Sequence, residues 1–142
     1  MVQVRPVDNR EQVEQCYAVM AQLRPHLSLD EFMRRVDTQK QEGYRLACVV
    51  DNDDVVAVAG FRISHNLAWG KFLYVDDLVT HEDKRSQGHG ALLLSWLMDE
   101  AKRNNCAALH LDSGVQRKDA HRFYENAGMT LSAYHFNIDI AR

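Results

Sequence analysis

Arg85-Ser86-Gln87-Gly88-His89-Gly90 joins a β-rich segment at residues 71–80 to an apolar run at residues 91–97. This order predicts a strand, a tight polar loop and a helix. Gly88 and Gly90 allow backbone conformations that other residues avoid, so the chain can approach a ligand closely. The first N–H groups of the following helix have no partner within the helix, and the helix dipole is positive at that end. The stretch therefore predicts a binding site for a phosphate or pyrophosphate.

The spacing of Gly88 and Gly90 is not by itself specific to phosphate binding. Two glycines separated by one residue also suit an ordinary turn that starts a helix. A dinucleotide-binding loop needs a third glycine, and a nucleoside triphosphate loop needs Gly-Lys followed by Ser or Thr. Neither pattern is completed around Gly88 and Gly90, so both of these classes are disfavoured.

The bulk properties predict a single domain over residues 1–142, since this length supports one core but not a second folding unit. Hydrophobic residues make up 46% of the chain, and the net charge of −3 gives no positive field for a nucleic-acid backbone. No apolar run reaches the roughly 18 residues of a membrane span, and the first residues do not resemble a signal peptide. We therefore expect a cytoplasmic protein without a nucleic-acid or membrane partner.

The cysteines and histidines predict neither a disulfide framework nor a metal centre. Cys16, Cys48 and Cys106 are odd in number, distant in sequence and flanked by apolar residues, which is typical of small buried side chains. The seven histidines form no zinc-binding pattern such as Cys-x-x-Cys or His-Glu-x-x-His. We expect no metal.

Periodicity and turn signals predict helices and strands in a mixed order. One amphipathic helix is capped by Asp8 or Asn9 and continues to about residue 23, and a second is capped by Ser28 and stops near Gly43. Strands are predicted at residues 2–6, 44–50, 55–63, 71–80, 107–111 and 134–140, with further helices at about 91–104 and 119–126. The last strand offers an edge through which two copies could pair as a homodimer.

Three features in the second half of the chain together carry a resemblance. Asp77-Leu78-Val79 precedes Arg85-x-x-Gly88-x-Gly90, and about thirty residues later comes Ala120-His121-Arg122-Phe123-Tyr124-Glu125-Asn126-Ala127-Gly128-Met129. Over residues 71–129 this ordered set resembles the GNAT family of N-acetyltransferases. The resemblance implies an α/β domain whose mixed, mostly antiparallel sheet has a splayed central strand pair and is flanked by helices. It also implies acetyl-CoA as a co-substrate.

The resemblance assigns roles to residues on the loop, the strand and the later helix. In the family, backbone amides of the loop hold the pyrophosphate of acetyl-CoA. The matching residues here are Arg85, Ser86, Gln87, Gly88, His89, Gly90 and Ala91. The strand end, here Val79, Thr80 and His81, offers backbone groups to the pantetheine arm and the thioester carbonyl. Tyr124 matches the tyrosine that donates a proton to the CoA sulfur, and a phenol with a pKa of about 10 stays protonated at neutral pH.

Asp76 and Asp77 interrupt an otherwise apolar strand, which is costly unless each carboxylate is solvated or paired. Adjacent strand residues point to opposite faces, so we expect only one of them to face the acceptor cleft. By the resemblance, a carboxylate here attracts an ammonium group and accepts its proton, directly or through water. Asp77 is the first candidate for this general base and Asp76 the second. A solvated or salt-bridged strand acid is the alternative for both.

Two residues depart from the family pattern. Ser86 stands where glycine is frequent, and Arg117 stands where many members carry an asparagine that contacts CoA or orders water. That contact is either missing here or replaced by Arg117 on a phosphate. The sequence favours an enzyme that acetylates a primary amine of a small molecule by direct attack. A catalytically silent acyl-CoA-binding regulatory module is the alternative. Residues 118–124 are also similar to a segment of aminoalkylphosphonate N-acetyltransferases, which leaves that acceptor class open.

Overall fold

The computed structural model describes residues 1–140 and contains two compact units, Met1–Leu111 and the residues from Asp112 onward. The first unit is an α+β fold whose five-stranded sheet has the order β1-β2-β3-β4-β5. Its strands are β1 Val2–Pro6, β2 Arg45–Asp51, β3 Asp54–Asn66, β4 Gly70–Thr80 and β5 Ala108–Leu111. Its helices are α1 Arg10–Gln15, α2 Tyr17–Leu23, α3 Leu29–Lys40 and α4 His89–Arg103, with a 3-10 helix at Glu82–Lys84.

The sheet is mixed and mostly antiparallel, as expected. The β1–β2, β2–β3 and β3–β4 ladders are antiparallel, whereas β4 and β5 pair in parallel. Helices cover both faces of the sheet, as the packing of alternate residues of β2 against different helices shows. Leu46, Cys48 and Val50 pack with α1, α2 and α3, whereas Ala47 and Val49 pack with α4. The α+β architecture flanked by helices is therefore confirmed.

Capping side chains set the boundaries of the first helices. Asn9 is the residue that caps α1, since its side chain accepts the N–H of Gln12 at 2.9 Å. The expected first helix is interrupted at the fully buried Cys16, which ends α1 and precedes α2. Ser28 caps α3 by accepting the N–H of Glu31 at 3.1 Å, as the capping pattern predicts.

The β4 and β5 strands pair over only part of the length of β4. Their ladder extends from Phe72 opposite Ala108 to Val75 opposite Leu111, where β5 ends. The β4 strand continues to Thr80 with β3 on one side, and no other strand of residues 1–140 pairs with it on the other side. Within residues 1–140 the edge of β4 after Val75 is therefore open, at the place where the family resemblance predicts a splayed strand pair.

A β-bulge interrupts β4 at Asp76. Gly60 of β3 pairs with Asp77, whereas the next residue, Phe61, pairs with Val75. Asp76 is therefore an extra residue in β4 that faces no partner of its own in the β3–β4 ladder. Such a residue breaks the alternation of side chains between the two faces of a sheet.

The second unit contains α5, Lys118–Asn126, followed by Gly128 in the left-handed conformation at φ +93°. Residues 134–140 form no strand, so the predicted last strand is wrong for the described chain. Its four alternating apolar side chains are 81–90% exposed: Tyr134, Phe136, Ile138 and Ile140. Alternation supplies a face that can be buried, but a strand also needs a neighbouring strand to bond with, and none within residues 1–140 pairs with this segment.

Within residues 1–140, no helix is long and apolar enough to cross a membrane. The same residues contain no group of three or more His, Cys, Asp or Glu side chains that could hold a metal ion. The three cysteines are free thiols, and Cys16 and Cys48 are buried in the core, as expected of small apolar side chains.

Candidate active site

The loop between β4 and α4 contains two left-handed residues. Gly88, the N-cap of α4, has φ +85°, a conformation that is strained for residues with a Cβ. Gly90 lies in the first turn of α4 and has no positive φ, so only one of the two glycines is needed for its backbone conformation. Ser86 has φ +64°, which is a physical reason for the frequent glycine at the matching position. The substitution leaves its N–H in place.

The N-terminus of α4 presents unbonded backbone donors. Among the described residues, no side chain caps this end, and its first turn contains no acidic residue. The N–H groups of His89, Gly90 and Ala91 precede the first bond within the helix, which Leu92 donates to the Gly88 carbonyl at 3.0 Å. The exposed residues of the loop before α4 are Arg85, Ser86, Gln87 and Gly88. This arrangement suits an anionic group such as a pyrophosphate.

The open edge of β4 offers backbone groups of alternate residues. His81 donates its N–H to the carbonyl of Val56 in β3 at 2.8 Å. Because bonded residues alternate along an antiparallel ladder, Val79 also faces β3, whereas Leu78 and Thr80 face the open edge. Val79, Thr80 and His81 were predicted to offer backbone groups to a ligand. Of these three residues, only Thr80 has its backbone groups on the open side. Leu78 was missed because this alternation depends on the register with β3.

A cavity of about 330 Å³ lies beside the acid pair of β4. Its apolar wall comes from α2, α3 and the segment between them, and is formed by Met20, Leu27, Phe32 and Val36. Its polar lining is formed by Arg24, His26, Arg35, Gln39, Tyr44, Asp76 and Asp77. A cavity with one apolar wall and a few converging polar groups is typical of a small-molecule site.

Both acids line this cavity, so the expectation that only one would face it is wrong. The bulge is the reason, because the extra residue Asp76 removes the alternation that normally separates neighbouring side chains. Their side chains are also similarly shielded, with 17% of Asp76 and 14% of Asp77 exposed. Each carboxylate has an arginine partner, as the cost of burying a strand acid requires.

Asp77 is held at both carboxylate oxygens. Its Oδ1 accepts from Nε of Arg24 at 3.0 Å, and Nη2 of the same guanidinium lies 2.9 Å away. Its Oδ2 accepts from the hydroxyl of Tyr44 at 2.7 Å. Burial, together with the negative charge of Asp77, raises the pKa of Tyr44 well above its ordinary value, so this phenol remains a donor.

Tyr44 reaches Asp77 because the residue between them is a glycine. A Cβ built on Gly60 would lie only 1.7 Å from the Tyr44 hydroxyl oxygen. Gly60 is the residue that pairs with Asp77 across the β3–β4 ladder. The absence of a side chain at this position therefore makes room for the contact.

Asp76 has a different environment. Its Oδ1 accepts from Nη2 of Arg62 at 2.9 Å, and its backbone carbonyl accepts from Arg24 at 3.1 Å. Its Oδ2 is buried and has no hydrogen-bond partner among the described residues. Burial raises the pKa of Asp76 and the neighbouring Asp77 charge adds to the rise, against the opposing charges of Arg62 and Arg24.

In the second unit, Tyr124 lies on α5 and Arg117 is the N-cap residue of that helix. Burial raises the pKa of Tyr124, and the positive charge of Arg117 acts in the opposite direction. The phenol is therefore protonated at neutral pH. Arg117 is exposed, and its side chain makes no capping bond to the described residues of α5, so its guanidinium is not committed to the helix end.

Two residues of the site, Arg24 and Tyr44, carry no local signal in the sequence. Arg24 is 53 residues from Asp77 along the chain, and Tyr44 is 33 residues away. Arg24 directly follows a short helix and Tyr44 directly precedes a strand, and both positions are common for residues without a special role. Only the packing of α2 and α3 on this face of the sheet brings them to the acid pair.

The chain is similar to known acetyltransferases along most of its length. The profile of the acetyltransferase (GNAT) family matches residues 11–129. The uncharacterized N-acetyltransferase YhdJ of Bacillus subtilis is 33% identical over 138 residues, covering 96% of this chain and 97% of that protein. An aminoalkylphosphonate N-acetyltransferase of Salmonella typhimurium is 31% identical over 94 residues, 66% of this chain and 60% of that protein. An aminoglycoside N-acetyltransferase solved in complex with CoA has a similar fold, with a TM-score of 0.88 at 12% identity over 99% of this chain and 95% of that one.

Proposed function

Because this chain belongs to the acetyltransferase (GNAT) family, we propose that it transfers the acetyl group of acetyl-CoA to a primary amine of a small molecule. The observation that carries this proposal is the arrangement along β4. The acid-lined cavity, the open strand edge and the uncapped start of α4 follow one another on a single strand-loop-helix segment. Acceptor, thioester and pyrophosphate need these three environments in that order.

The residues of the first unit fit acetyl-CoA. The amides of Gly88, His89, Gly90 and Ala91 would bind the pyrophosphate, since no capping side chain or first-turn acid of the described chain competes at that end of α4. The open edge of β4 would bond the pantetheine arm through its backbone, as a sheet edge bonds an added strand. Acetyl-CoA supplies an acetyl group that is activated as a thioester.

In the proposed reaction the amine attacks the acetyl carbonyl directly. An ammonium group is attracted to the carboxylates of Asp76 and Asp77, which line the cavity. One of these acids takes the ammonium proton, and Tyr124, assigned from its match to the family tyrosine, donates a proton to the departing sulfur. No residue of the chain becomes covalently modified in this scheme.

An acetylation screen tests the proposal. The protein is incubated with acetyl-CoA and a panel of polyamines, aminophosphonates, amino acids and aminoglycosides, and products are identified by mass spectrometry. We expect a mass increase of one acetyl group on at least one amine. Binding of acetyl-CoA without product from any panel member would favour the silent regulatory module. Thermal stabilisation by NAD instead of acetyl-CoA would contradict both.

An aminoalkylphosphonate is the second candidate acceptor, and two observations favour it. One relative has that activity in its name, and Arg24, His26 and Arg35 bring basic side chains to the cavity wall. If Arg35 binds the phosphonate, Arg35→Gln should raise KM for 2-aminoethylphosphonate at least tenfold. Arg34→Gln is the matched control, since Arg34 pairs with Glu31 as Arg35 does but does not line the cavity. Equal KM values in the two variants would exclude this acceptor geometry.

A homodimer and a cytoplasmic location are further parts of the proposal. The alternating apolar side chains of residues 134–140 are what a second copy would cover, since they are exposed in the described chain. Light scattering coupled to gel filtration should then give twice the chain mass of 16.3 kDa, and removal of residues 131–142 should return a monomer. Fractionation of the source cells checks the location.

A further inference from the structure

The contacts of the two strand acids differ, and the difference assigns them separate roles. This inference rests on the proposed function, since it concerns the proton of the acceptor amine. We propose that Asp76 takes the proton from the acceptor ammonium, and that Asp77 is a positioning residue, held in place by Arg24 and Tyr44. The order of candidates expected from the sequence is thereby reversed.

Asp77 is poorly suited to accept a proton. Its Oδ1 is bonded by the Arg24 guanidinium and its Oδ2 by the Tyr44 hydroxyl, at distances of 3.0 and 2.7 Å. Protonation of either oxygen would weaken or remove the bond to the partner that donates to it. Tyr44 is only 5% exposed, so water would not replace the hydrogen bond that its hydroxyl loses.

Asp76 keeps an oxygen for the proton. Arg62 bonds its Oδ1 at 2.9 Å, but its Oδ2 has no donor among the described residues. A buried oxygen without a hydrogen-bond partner is rare in folded proteins, and a catalytic role is one of its explanations. A proton on Oδ2 changes a shielded carboxylate into a neutral acid without breaking a hydrogen bond. Burial, which raises the pKa of Asp76, favours the same change.

The proton balance of the proposed step is simple. When the bound acceptor brings a water to the shielded Oδ2, Asp76 receives one proton from the ammonium through that water, and the amine becomes neutral and nucleophilic. The carbon–nitrogen bond then forms, the carbon–sulfur bond breaks with its electron pair on sulfur, and Tyr124 protonates that sulfur. The second nitrogen proton restores Tyr124 through solvent, and Asp76 returns its proton to solvent. The products are the N-acetyl compound, free CoA and one released proton.

The charged and titratable groups around Asp76 determine how its titration responds to mutation. They are Asp77 on the same strand, Arg62 on β3, Arg24 after α2, and Tyr44 before β2. The lining of the same cavity adds His26 from the segment before α3 and Arg35 from α3. The negative charge of Asp77 raises the pKa of Asp76, and the charges of Arg62 and Arg24 lower it. Neutralising Asp77 and neutralising Arg62 should therefore move the Asp76 titration in opposite directions.

The first experiment compares Asp76→Asn with Asp77→Asn, two isosteric changes. The acceptor is the panel amine that the wild type acetylates fastest, and acetyl-CoA affinity is measured by calorimetry as the control for an intact cofactor site. Loss of a general base typically costs about 10²–10⁴-fold, so Asp76→Asn should lower kcat by at least 100-fold at pH 7. Asp77→Asn should mainly raise the acceptor KM and leave kcat within tenfold. The opposite result, a lost kcat in Asp77→Asn alone, overturns the assignment.

The second experiment keeps Asp76 and moves its titration, so it remains decisive if Asp76→Asn does not fold. A base acts when deprotonated, so kcat rises as the pH passes its pKa. Asp77→Asn should shift this rising limb to lower pH, and Arg62→Met should shift it to higher pH. If Asp76 had only a structural role, the two substitutions would change the height of the profile without these opposite shifts. A rising limb of kcat that stays at the same pH in both variants contradicts the proposal, and so does a limb that disappears in Asp77→Asn.

A third measurement separates this inference from the proposed function. In the free protein, carboxyl-carbon NMR should show Asp76 titrating above an ordinary aspartate, and further upward in Arg62→Met. This result needs no acceptor and no turnover. An inactive wild type would refute the proposed function while the titration still tests the roles of the two acids. An active wild type in which Asp76→Asn is fully active would refute only this inference.

Discussion

Gly60→Ala tests the contact on which the positioning of Asp77 depends. A Cβ at this position would lie 1.7 Å from the hydroxyl oxygen of Tyr44, 2.4 Å from its Cζ and 2.7 Å from its Cε1. Non-bonded carbon atoms do not approach other heavy atoms so closely, and the buried Tyr44 ring has little space into which it can move. The ring must therefore shift, and its hydroxyl must leave Asp77.

The expected loss of stability has two parts. Overpacking of a closely packed site typically costs about 1–3 kcal/mol, and a hydrogen bond to a charged group contributes about 1.5–3 kcal/mol. Alanine is better than glycine in a strand by roughly 0.5–1 kcal/mol, which offsets a small part. We expect Gly60→Ala to lower the free energy of unfolding by about 1.5–5.5 kcal/mol. Tyr44→Phe, which removes only the hydroxyl, should lower it by about 1.5–3 kcal/mol.

A double-mutant cycle measured by urea denaturation separates the clash from other effects. In a Tyr44→Ala background the ring is absent, so Gly60→Ala should cost little there. The coupling between the two positions should then reach at least about 1.5 kcal/mol, which is in the range found for residues in contact. The same cost in both backgrounds, or wild-type stability of Gly60→Ala, would show that Gly60 does not make room for Tyr44.

Further changes test the loop, the acid and the core. Gly88→Val places a β-branched residue at φ +85° and should weaken acetyl-CoA binding at least tenfold, about 1.4 kcal/mol, by calorimetry; an unchanged affinity in the folded variant would contradict the loop assignment. Tyr124→Phe should lower turnover by about 10²–10⁴-fold with little change in acetyl-CoA affinity; wild-type turnover under conditions where chemistry limits the rate would remove Tyr124 from the mechanism. Burial raises the pKa of Glu100, but hydrogen bonds from Arg103 and Arg45 lower it by more, so the pKa lies below its ordinary value of 4.5. The stability that Glu100 contributes is therefore complete above pH 4.5 and is lost as the pH falls through its lower folded-state pKa. Glu100→Gln should reduce stability at pH 7 and flatten its decline below pH 4.5 in denaturation curves measured across that range.

Local signals predicted the elements that hold the loop. A β-rich run, a left-handed glycine and an apolar periodic run are neighbours in sequence, so β4, Gly88 and α4 follow from residues that contact one another locally. The Ser28 cap of α3 is predicted for the same reason. Residues 134–140 show the limit of such signals, because their alternation describes one face of a strand and contains no information on which edge will bond it.

The chemistry of the acid pair depends on contacts that no local pattern contains. Alternation along a regular strand would separate Asp76 and Asp77 to opposite faces, and only the bulge against Gly60 and Phe61 brings both to one cavity. A bulge is a property of the register between two strands, so it is invisible in β4 alone. Arg24 and Tyr44 then bond Asp77, and no donor from residues 1–140 reaches Oδ2 of Asp76. Two adjacent residues of the same type thus become a held carboxylate and a proton acceptor, because distant parts of the chain distribute their donors unequally between them.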